Sequence, residues 1–136
     1  MKLKHIPKFI KIVKAIAECS EDKRLKVGAL IIKEGRIIST GYNGQLPGLL
    51  HDPEVKDGHD DSTVHAEQNA IMNCAKQGIS TKDCRMLVTH FPCKRCVKLA
   101  IMAGILIIYY LEDYKNDESS TRIMNIRKLM DNGKEK

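Results

Sequence analysis

The stretch VHAEQNAIMNCAKQGISTKDCRMLVTHFPCKRC, residues 64–96, decides the fold. Its first part predicts a helix over residues 64–77, because apolar residues recur at helical spacing and Gly78 stands where such a helix ends. A β-rich run predicts a strand at residues 85–90, and a proline then opens a second helix, 92–103. Strands that alternate with helices in this way predict parallel strands joined by right-handed crossovers.

The sequence on either side of this stretch completes the pattern of an α/β protein. Residues 41–62 are rich in Gly, Pro, Asp and His and lack a periodic pattern, so we expect a long functional loop there. The other predicted elements are a helix, the two strands of an antiparallel hairpin, a buried strand and a last helix, at residues 8–19, 27–32, 36–40, 105–111 and 119–130. One domain, residues 1–136, should form a three-layer α/β/α sandwich around a mixed sheet of about four strands.

Composition and charge restrict the function. The chain has no apolar run of membrane-spanning length and no secretory signal pattern, so we expect a cytoplasmic globular protein. The net charge of +6 favours an anionic partner, either a phosphorylated small molecule or a polynucleotide. Few aromatic residues and the absence of Trp argue against a stacking surface for nucleic acid. The five cysteines, an odd number, indicate metal binding or catalysis rather than disulfides.

Two short motifs open the two helices of the central stretch. His65-Ala66-Glu67 begins the first helix, and Cys93 and Cys96 lie together at the start of the second. Because both helices follow parallel strands, the motifs should meet at the carboxyl ends of those strands, where α/β sheets bind ligands. Two thiolates and one imidazole form a ligand set typical of zinc, and three protein ligands leave a fourth position for water. We therefore predict a catalytic zinc ion held by His65, Cys93 and Cys96.

Glu67 distinguishes a catalytic zinc site from a structural one. It lies two residues from His65, too close to share ligation but near enough to exchange protons with a water molecule on the metal. The pair of motifs matches the H-x-E and P-C-x-x-C signature of zinc-dependent nucleobase deaminases. Two alternatives stay open at this point: a deaminase that acts on cytosine or adenine in a polynucleotide, and a non-catalytic zinc module that binds nucleic acid.

The sequence resembles the deoxycytidylate (dCMP) deaminase branch of the cytidine deaminase superfamily over almost its whole length. The matching segments are 27–29, 35–44, 64–71, 89–96, 103–105, Tyr109 and 114–117. The run GRIISTGYNG, residues 35–44, is particularly similar to bacteriophage members, for which the expected location is the host cytoplasm. Free-cytidine deaminases, by contrast, usually carry Cys where His65 stands and lack the Tyr-Asn-Gly loop.

The resemblance implies hydrolysis of dCMP to dUMP and ammonia, which supplies the precursor of thymidylate. The positions that match substrate-binding residues of the family are Asn43, Ala66, Arg24, Lys26, Tyr109 and Tyr114. The asparagine would contact the sugar, the alanine backbone would read the pyrimidine edge, and the basic residues would bind the 5′-phosphate. Each side chain also has a plainer interpretation, since the asparagine can make a turn, the basic segment can be a solvated turn and the tyrosines can be packing residues.

Assembly and some departures also follow from the resemblance. Many relatives are hexamers that dCTP activates and dTTP inhibits, so a homo-oligomer and these effectors are expected partners, with no nucleic acid. Residues 20–23, Ser-Glu-Asp-Lys, replace the Ser-Lys-Asp-Pro of many relatives, which bears on phosphate recognition. The chain stops soon after the last predicted helix, so we expect the family's fifth strand to be missing. Some relatives bind a second zinc ion through the insert, and His51 and His59 are the candidates here, without cysteines to join them.

Overall fold

Helices and strands alternate along the chain in a computed structural model, which describes residues 3–46, 55–56, 59–60 and 63–136. The helices are α1 (Ile6–Ala17), α2 (Ala66–Gln77), α3 (Lys94–Met102) and α4 (Glu118–Ile123), and a 3-10 turn, Leu3–His5, precedes α1. The strands are β1 (Gly28–Lys33), β2 (Arg36–Tyr42), β3 (Val55–Lys56), β4 (His59–Asp60), β5 (Arg85–His90), β6 (Ile107–Glu112) and β7 (Asn125–Lys128). Within the described part of the chain, no helix is long and apolar enough to cross a membrane.

Five of these strands form one mixed sheet in the order β2-β1-β5-β6-β7. β1 pairs antiparallel with both β2 and β5, whereas β6 pairs in parallel with β5 and with β7. The strands β2, β5, β6 and β7 therefore all end at the same edge of the sheet, which we call the carboxyl edge. The predicted hairpin and the parallel crossover through α3 are confirmed. The short strands β3 and β4 pair with each other inside the segment predicted to be a loop without secondary structure.

Apolar side chains of the sheet alternate between its two faces, and helices cover each face. Ile31, Met86 and Ile108 belong to the core cluster that includes residues of α2 and α3. Leu30 and Leu87 belong to the cluster beneath α1. All five side chains are fully buried, and they alternate because successive residues of a strand point to opposite faces. The predicted three-layer α/β/α class with a mixed sheet is thus confirmed.

The carboxyl-terminal part of the chain differs from the prediction. The short helix α4 and the strand β7 replace the single helix expected at residues 119–130. The fifth strand, which we expected to be missing, is therefore present, and the sheet has five strands where about four were expected. The reason is that β6 would otherwise leave backbone groups unpaired along its outer side. Pairing with β7 satisfies those groups and packs Ile126 against the core cluster of α2 and α3.

Candidate active site

Both central helices begin at the carboxyl edge of the sheet. Helix α3 follows the end of β5, with Cys93 immediately before it and Cys96 in its first turn. Helix α2 begins beside the end of β2, because Gly41 of that strand lies directly against Ala66. His65 is the residue immediately before α2. Because α2 and α3 also pack against each other, two motifs that are 28 residues apart in sequence meet at one point.

The structure brings the three predicted metal ligands together. Nδ1 of His65 lies 3.5 Å from Sγ of Cys93 and 3.4 Å from Sγ of Cys96, and the three atoms lie within 4.8 Å of one another. A tetrahedral zinc ion binds nitrogen at about 2.1 Å and sulfur at about 2.3 Å, which places two such ligands roughly 3.6 Å apart. The observed distances fit that geometry. The cluster can therefore hold a zinc ion and leave one coordination position open.

Hydrogen bonds among these three side chains show how a metal ion would fit the site. The Cys96 thiol donates a hydrogen bond to Cys93, which lowers the pKa of Cys93 to about 4. The same hydrogen bond, together with burial, raises the pKa of Cys96. The hydrogen bond with Cys93 also raises the pKa of His65. A cation placed among the three atoms would replace the shared proton and stabilise both thiolates.

Glu67 lies beside the cluster, in the first turn of α2. It is only 5% exposed, and this burial raises the pKa of its carboxyl group. The nearby Cys93 raises that pKa further, while the imidazole of His65 lowers it. A carboxyl group is costly to bury in its ionised form, so a packing role alone would favour an apolar side chain here. Buried carboxyl groups with raised pKa values occur often at functional sites, and the proton exchange predicted for Glu67 stays a prediction.

Gly41 sets the position of α2 against the sheet. A β-carbon at this residue would lie 2.3 Å from the carbonyl oxygen of Ala66 and 2.6 Å from the nitrogen of Ala70. The missing side chain therefore lets the first turn of α2 lie directly on β2, with His65 and Glu67 on either side of Ala66. The Ala66 backbone is thus at the site, and its reading of a pyrimidine edge stays a prediction.

Replacement of Gly41 by alanine should destabilise the protein by about 1–3 kcal/mol or more, because the added methyl group forces α2 away from β2. Urea unfolding of the variant measures the loss. Gly44→Ala is the matched control, since the nearest atom to its added β-carbon is 4.0 Å away, in the ring of Tyr42. Its stability should stay within about 0.5 kcal/mol of the wild type. Equal losses in both variants would contradict this role of Gly41.

The side chain of Asn43 forms hydrogen bonds with the basic segment that precedes β1. Asn43 is buried; its Oδ1 accepts a hydrogen bond of 2.8 Å from the backbone N–H of Val27, and its Nδ2 donates one of 2.8 Å to the Leu25 carbonyl oxygen. Arg24 and Lys26 lie on the same segment with exposed side chains. Asn43 therefore has a structural role, but its side chain bridges two segments instead of making the turn that was its alternative interpretation. An amide can make further hydrogen bonds, and the contact of Asn43 with a sugar stays a prediction.

Of the two predicted tyrosines, only one lies at the carboxyl edge. Tyr114 follows β6, and its half-buried ring packs edge-on against His90, with 6.1 Å between ring centroids. Tyr109 belongs instead to the cluster beneath α1. There its hydroxyl accepts a hydrogen bond of 3.3 Å from Arg85, and both residues line a cavity of about 470 Å³. The structure does not bring Tyr109 to the metal-ligand cluster, so its predicted substrate contact is corrected to a packing role.

Sequence reasoning missed two polar residues at the carboxyl edge. Nε2 of His90, the last residue of β5, lies 3.0 Å from the carboxylate of Glu112, the last residue of β6. Nδ1 of His90 lies 2.8 Å from the Thr89 hydroxyl oxygen. The sequence does carry a signal for them, because polar residues that end buried parallel strands stand where α/β sheets bind ligands.

The second metal site considered for the insert lies outside the described residues. His51 belongs to the undescribed range 47–54. Only the backbone of His59 is described, as part of β4.

The chain is similar to known proteins in both sequence and fold. The family model for the cytidine and deoxycytidylate deaminase zinc-binding region matches residues 3–112. ComE operon protein 2 of Bacillus subtilis (strain 168) is 46% identical over 96 residues, which cover 68% of this chain and 51% of that protein. Deoxycytidylate deaminase of Mus musculus is 37% identical over 122 residues, which cover 83% of this chain and 67% of that protein. The chain thus spans between about half and two thirds of these curated relatives.

A solved structure has the same architecture over nearly the whole chain. The dCMP deaminase from the cyanophage S-TIM5, in complex with dCMP and dUMP, is similar with a TM-score of 0.85 and 30% sequence identity. The similarity covers 95% of this chain and 99% of that chain. It therefore extends beyond residue 112, where the family match ends, into the carboxyl-terminal part of the fold.

Proposed function

We propose that this chain, which belongs to the cytidine and deoxycytidylate deaminase family, is a hydrolytic deaminase that converts dCMP to dUMP and ammonia. The observation that carries the proposal is the buried carboxyl group of Glu67 beside a cluster of one imidazole and two thiols. The substrate is supported by a relative named deoxycytidylate deaminase and by a structural relative that holds dCMP and dUMP. We assign the activity to one domain, residues 1–136.

The three metal-ligand residues and Glu67 have different proposed roles. His65, Cys93 and Cys96 would hold the zinc ion. When bound, the ion supplies a Lewis acid that makes a water molecule reactive at neutral pH. Glu67 would take a proton from the attacking water as the water oxygen bonds to C4 of the cytosine ring, and would then deliver protons to N3 and to the amino group. The C4–N4 bond breaks, and the two protons of the water end on N3 and on the departing ammonia.

An assay of ammonia release with cytidine, dCMP, dCTP and single-stranded DNA tests the proposed function. We expect dCMP to be the best of these substrates. A preference for single-stranded DNA would favour the polynucleotide deaminase. Zinc binding without turnover of any substrate would favour the non-catalytic module. Either result would contradict the proposal.

Arg24→Ala should reduce the preference for dCMP over deoxycytidine by roughly ten- to a hundred-and-fifty-fold. The reason is that one charge-assisted hydrogen bond to a phosphate contributes about 1.5–3 kcal/mol. The backbone N–H of Arg24 donates a hydrogen bond of 2.8 Å to Asp22, so the segment should keep its conformation without the guanidinium group. The measurement is kcat/KM for both substrates with each protein.

A second exposed arginine provides the control for this experiment. Arg36 begins β2, at the end of the strand that lies away from the carboxyl edge. Arg36→Ala should therefore keep the wild-type preference for dCMP. An equal loss of kcat/KM for dCMP and for deoxycytidine in Arg24→Ala would contradict phosphate recognition by Arg24, because it would indicate general damage to the fold.

The family resemblance extends the proposal to assembly and control. We expect a cytoplasmic homo-oligomer, with the hexamer of many relatives as the expected form. Its product dUMP would serve the supply of dTTP, with dCTP and dTTP as effectors. No nucleic-acid partner is expected.

A further inference from the structure

A cavity of about 470 Å³ lies on the face of the sheet that α1 covers. Residues of α1, β5, β6 and the segment after β7 line it: Ile6, Arg85, Tyr109, Leu129 and residues 132–135. The helices α2 and α3, which begin at the proposed metal ligands, cover the other face of the sheet. The cavity is therefore separate from the metal-ligand cluster, and its volume is typical of sites that bind small molecules.

The apolar part of the lining is fixed by packing. It consists of residues that are at most 5% exposed and belong to the cluster beneath α1: Ile6, Tyr109 and Leu129. The turn at residues 130–134 lies directly against them, since a β-carbon on Gly133 would be 3.0 Å from Cγ2 of Ile6. The backbone N–H of Met130 donates a hydrogen bond of 2.8 Å to the Lys134 carbonyl oxygen, which closes this turn.

The polar part of the lining has more positive than negative charge. Nη1 of the half-buried Arg85 donates a hydrogen bond of 3.3 Å to the Tyr109 hydroxyl oxygen. Glu135, the carboxylate among the described lining residues, already forms an ion pair of 3.0 Å with Arg127. Within the described part of the chain, neither Arg85 nor Lys134 forms an ion pair with a carboxylate. The cavity thus contains two cations whose charge is not neutralised.

A neighbouring cavity shows that this excess of positive charge is particular to one side of Arg85. Its volume is about 620 Å³, and Arg85 lines it as well. There the cations Arg85 and Arg36 are accompanied by two carboxylates, those of Glu34 and Asp83. An anion should therefore prefer the cavity beside Tyr109, where the charge is unbalanced.

Charge and shape together indicate the class of ligand. A phosphate monoester carries a charge of about −1.5 to −2 at neutral pH, which matches the two unneutralised cations, Arg85 and Lys134. A guanidinium group forms strong charge-assisted hydrogen bonds with phosphate oxygens. The buried apolar residues beside these cations suit an apolar ring. We propose that this cavity is a second binding site of the chain, for a small aromatic phosphate monoester.

Titration of the isotope-labelled full chain with phenyl phosphate, followed by NMR, tests the proposal. The amide signals of residues 129–135 should shift together and saturate with one dissociation constant. Signals of residues 22–27, beside the proposed substrate phosphate, report separately on binding at the active site. Phenol lacks the phosphate and inorganic phosphate lacks the ring, so each should bind at residues 129–135 at least about tenfold more weakly than phenyl phosphate.

Two variants and a control examine the cations. Arg85→Met should weaken the binding of phenyl phosphate by at least about tenfold, because it removes the guanidinium group and keeps an apolar stem. Lys134→Glu should weaken it by about fivefold. Because Lys134 is exposed, this variant provides the test if Arg85→Met does not fold. Arg36→Ala is the matched control, since Arg36 is an exposed arginine that lines only the neighbouring cavity, and it should keep the wild-type dissociation constant.

Several results would overturn the inference. Shifts confined to residues 22–27, or shifts at residues 129–135 that do not saturate, would show that the cavity is not a binding site. Folded variants at Arg85 and Lys134 that bind phenyl phosphate as tightly as the wild type would do the same. Equal weakening in Arg36→Ala would place the ligand in the neighbouring cavity. The measurement uses no substrate turnover, so its failure leaves the proposed deaminase function standing.

Discussion

Glu67→Gln should lose at least about 10⁴-fold in turnover of dCMP and keep both its zinc ion and its fold. A general acid–base group commonly contributes about 10²–10⁴ in rate, and Glu67 is proposed to serve several proton transfers in one reaction. The amide keeps the shape of the side chain but cannot take a proton from water. Its cost to folding should be small, because burial already raises the pKa of this carboxyl group and so disfavours the charge that the substitution removes. Single-turnover and steady-state rates measure the effect.

Glu118→Gln is a suitable control for this experiment. Glu118 also stands in the first turn of a helix, α4, but it is exposed. The control variant should keep wild-type turnover. Activity of Glu67→Gln within about tenfold of the wild type would exclude the proton-transfer role, since even the low end of general acid–base catalysis is larger.

Cys93→Ala should lose most of its zinc and, with it, all measurable deamination. Two remaining donors, His65 and Cys96, cannot complete the site, because a catalytic zinc ion is held by three protein ligands. Elemental analysis of the purified variant gives the zinc content per chain, independently of any assay of activity. We expect about one zinc ion per chain in the wild type and well below half of that in the variant.

A second exposed thiol gives the matched comparison for this variant. Cys19 is exposed like Cys93 but lies after α1, on the other face of the sheet. Cys19→Ala should therefore keep the wild-type zinc content and activity. Full zinc content in Cys93→Ala would refute the ligand assignment, and zinc loss in Cys19→Ala would place the metal elsewhere.

The central stretch of the chain could be predicted because its local signals agree with one another. Gly78 ends α2 in the left-handed conformation, with φ at 71°, as its place after an apolar helical pattern indicated. His65 and Cys93 each stand immediately before a helix. The rules for parallel strands bring such helix starts to one edge of a sheet, so the metal-ligand cluster followed from the order of the elements.

The parts that sequence reasoning missed depend on contacts between distant segments. Ile123, Met124 and Ile126 have the spacing of a helix face, but residues 125–128 form a strand that pairs with β6, a partner distant in the sequence. Tyr109 was predicted to lie near the site but lies in the cluster beneath α1, for a related reason. Strand β6 is buried on both faces, so its apolar sequence does not tell which side chains face α1 and which face the site. The His90 and Glu112 pair likewise exists only because two strands end side by side.

Asn43 connects the end of β2 with the basic segment before β1 through hydrogen bonds of its side chain. Its amide group holds the backbone of Leu25 and Val27, and the proposed phosphate ligands Arg24 and Lys26 alternate with these residues along the chain. Side chains in one hydrogen-bond network usually show interaction energies of about 0.5–3 kcal/mol in double-mutant cycles. We therefore expect the proposed sugar and phosphate contacts to be coupled in this fold. If Asn43 contacts the sugar as proposed, its replacement should also change the affinity for phosphate, and compensating substitutions should be found between residues 22 and 27.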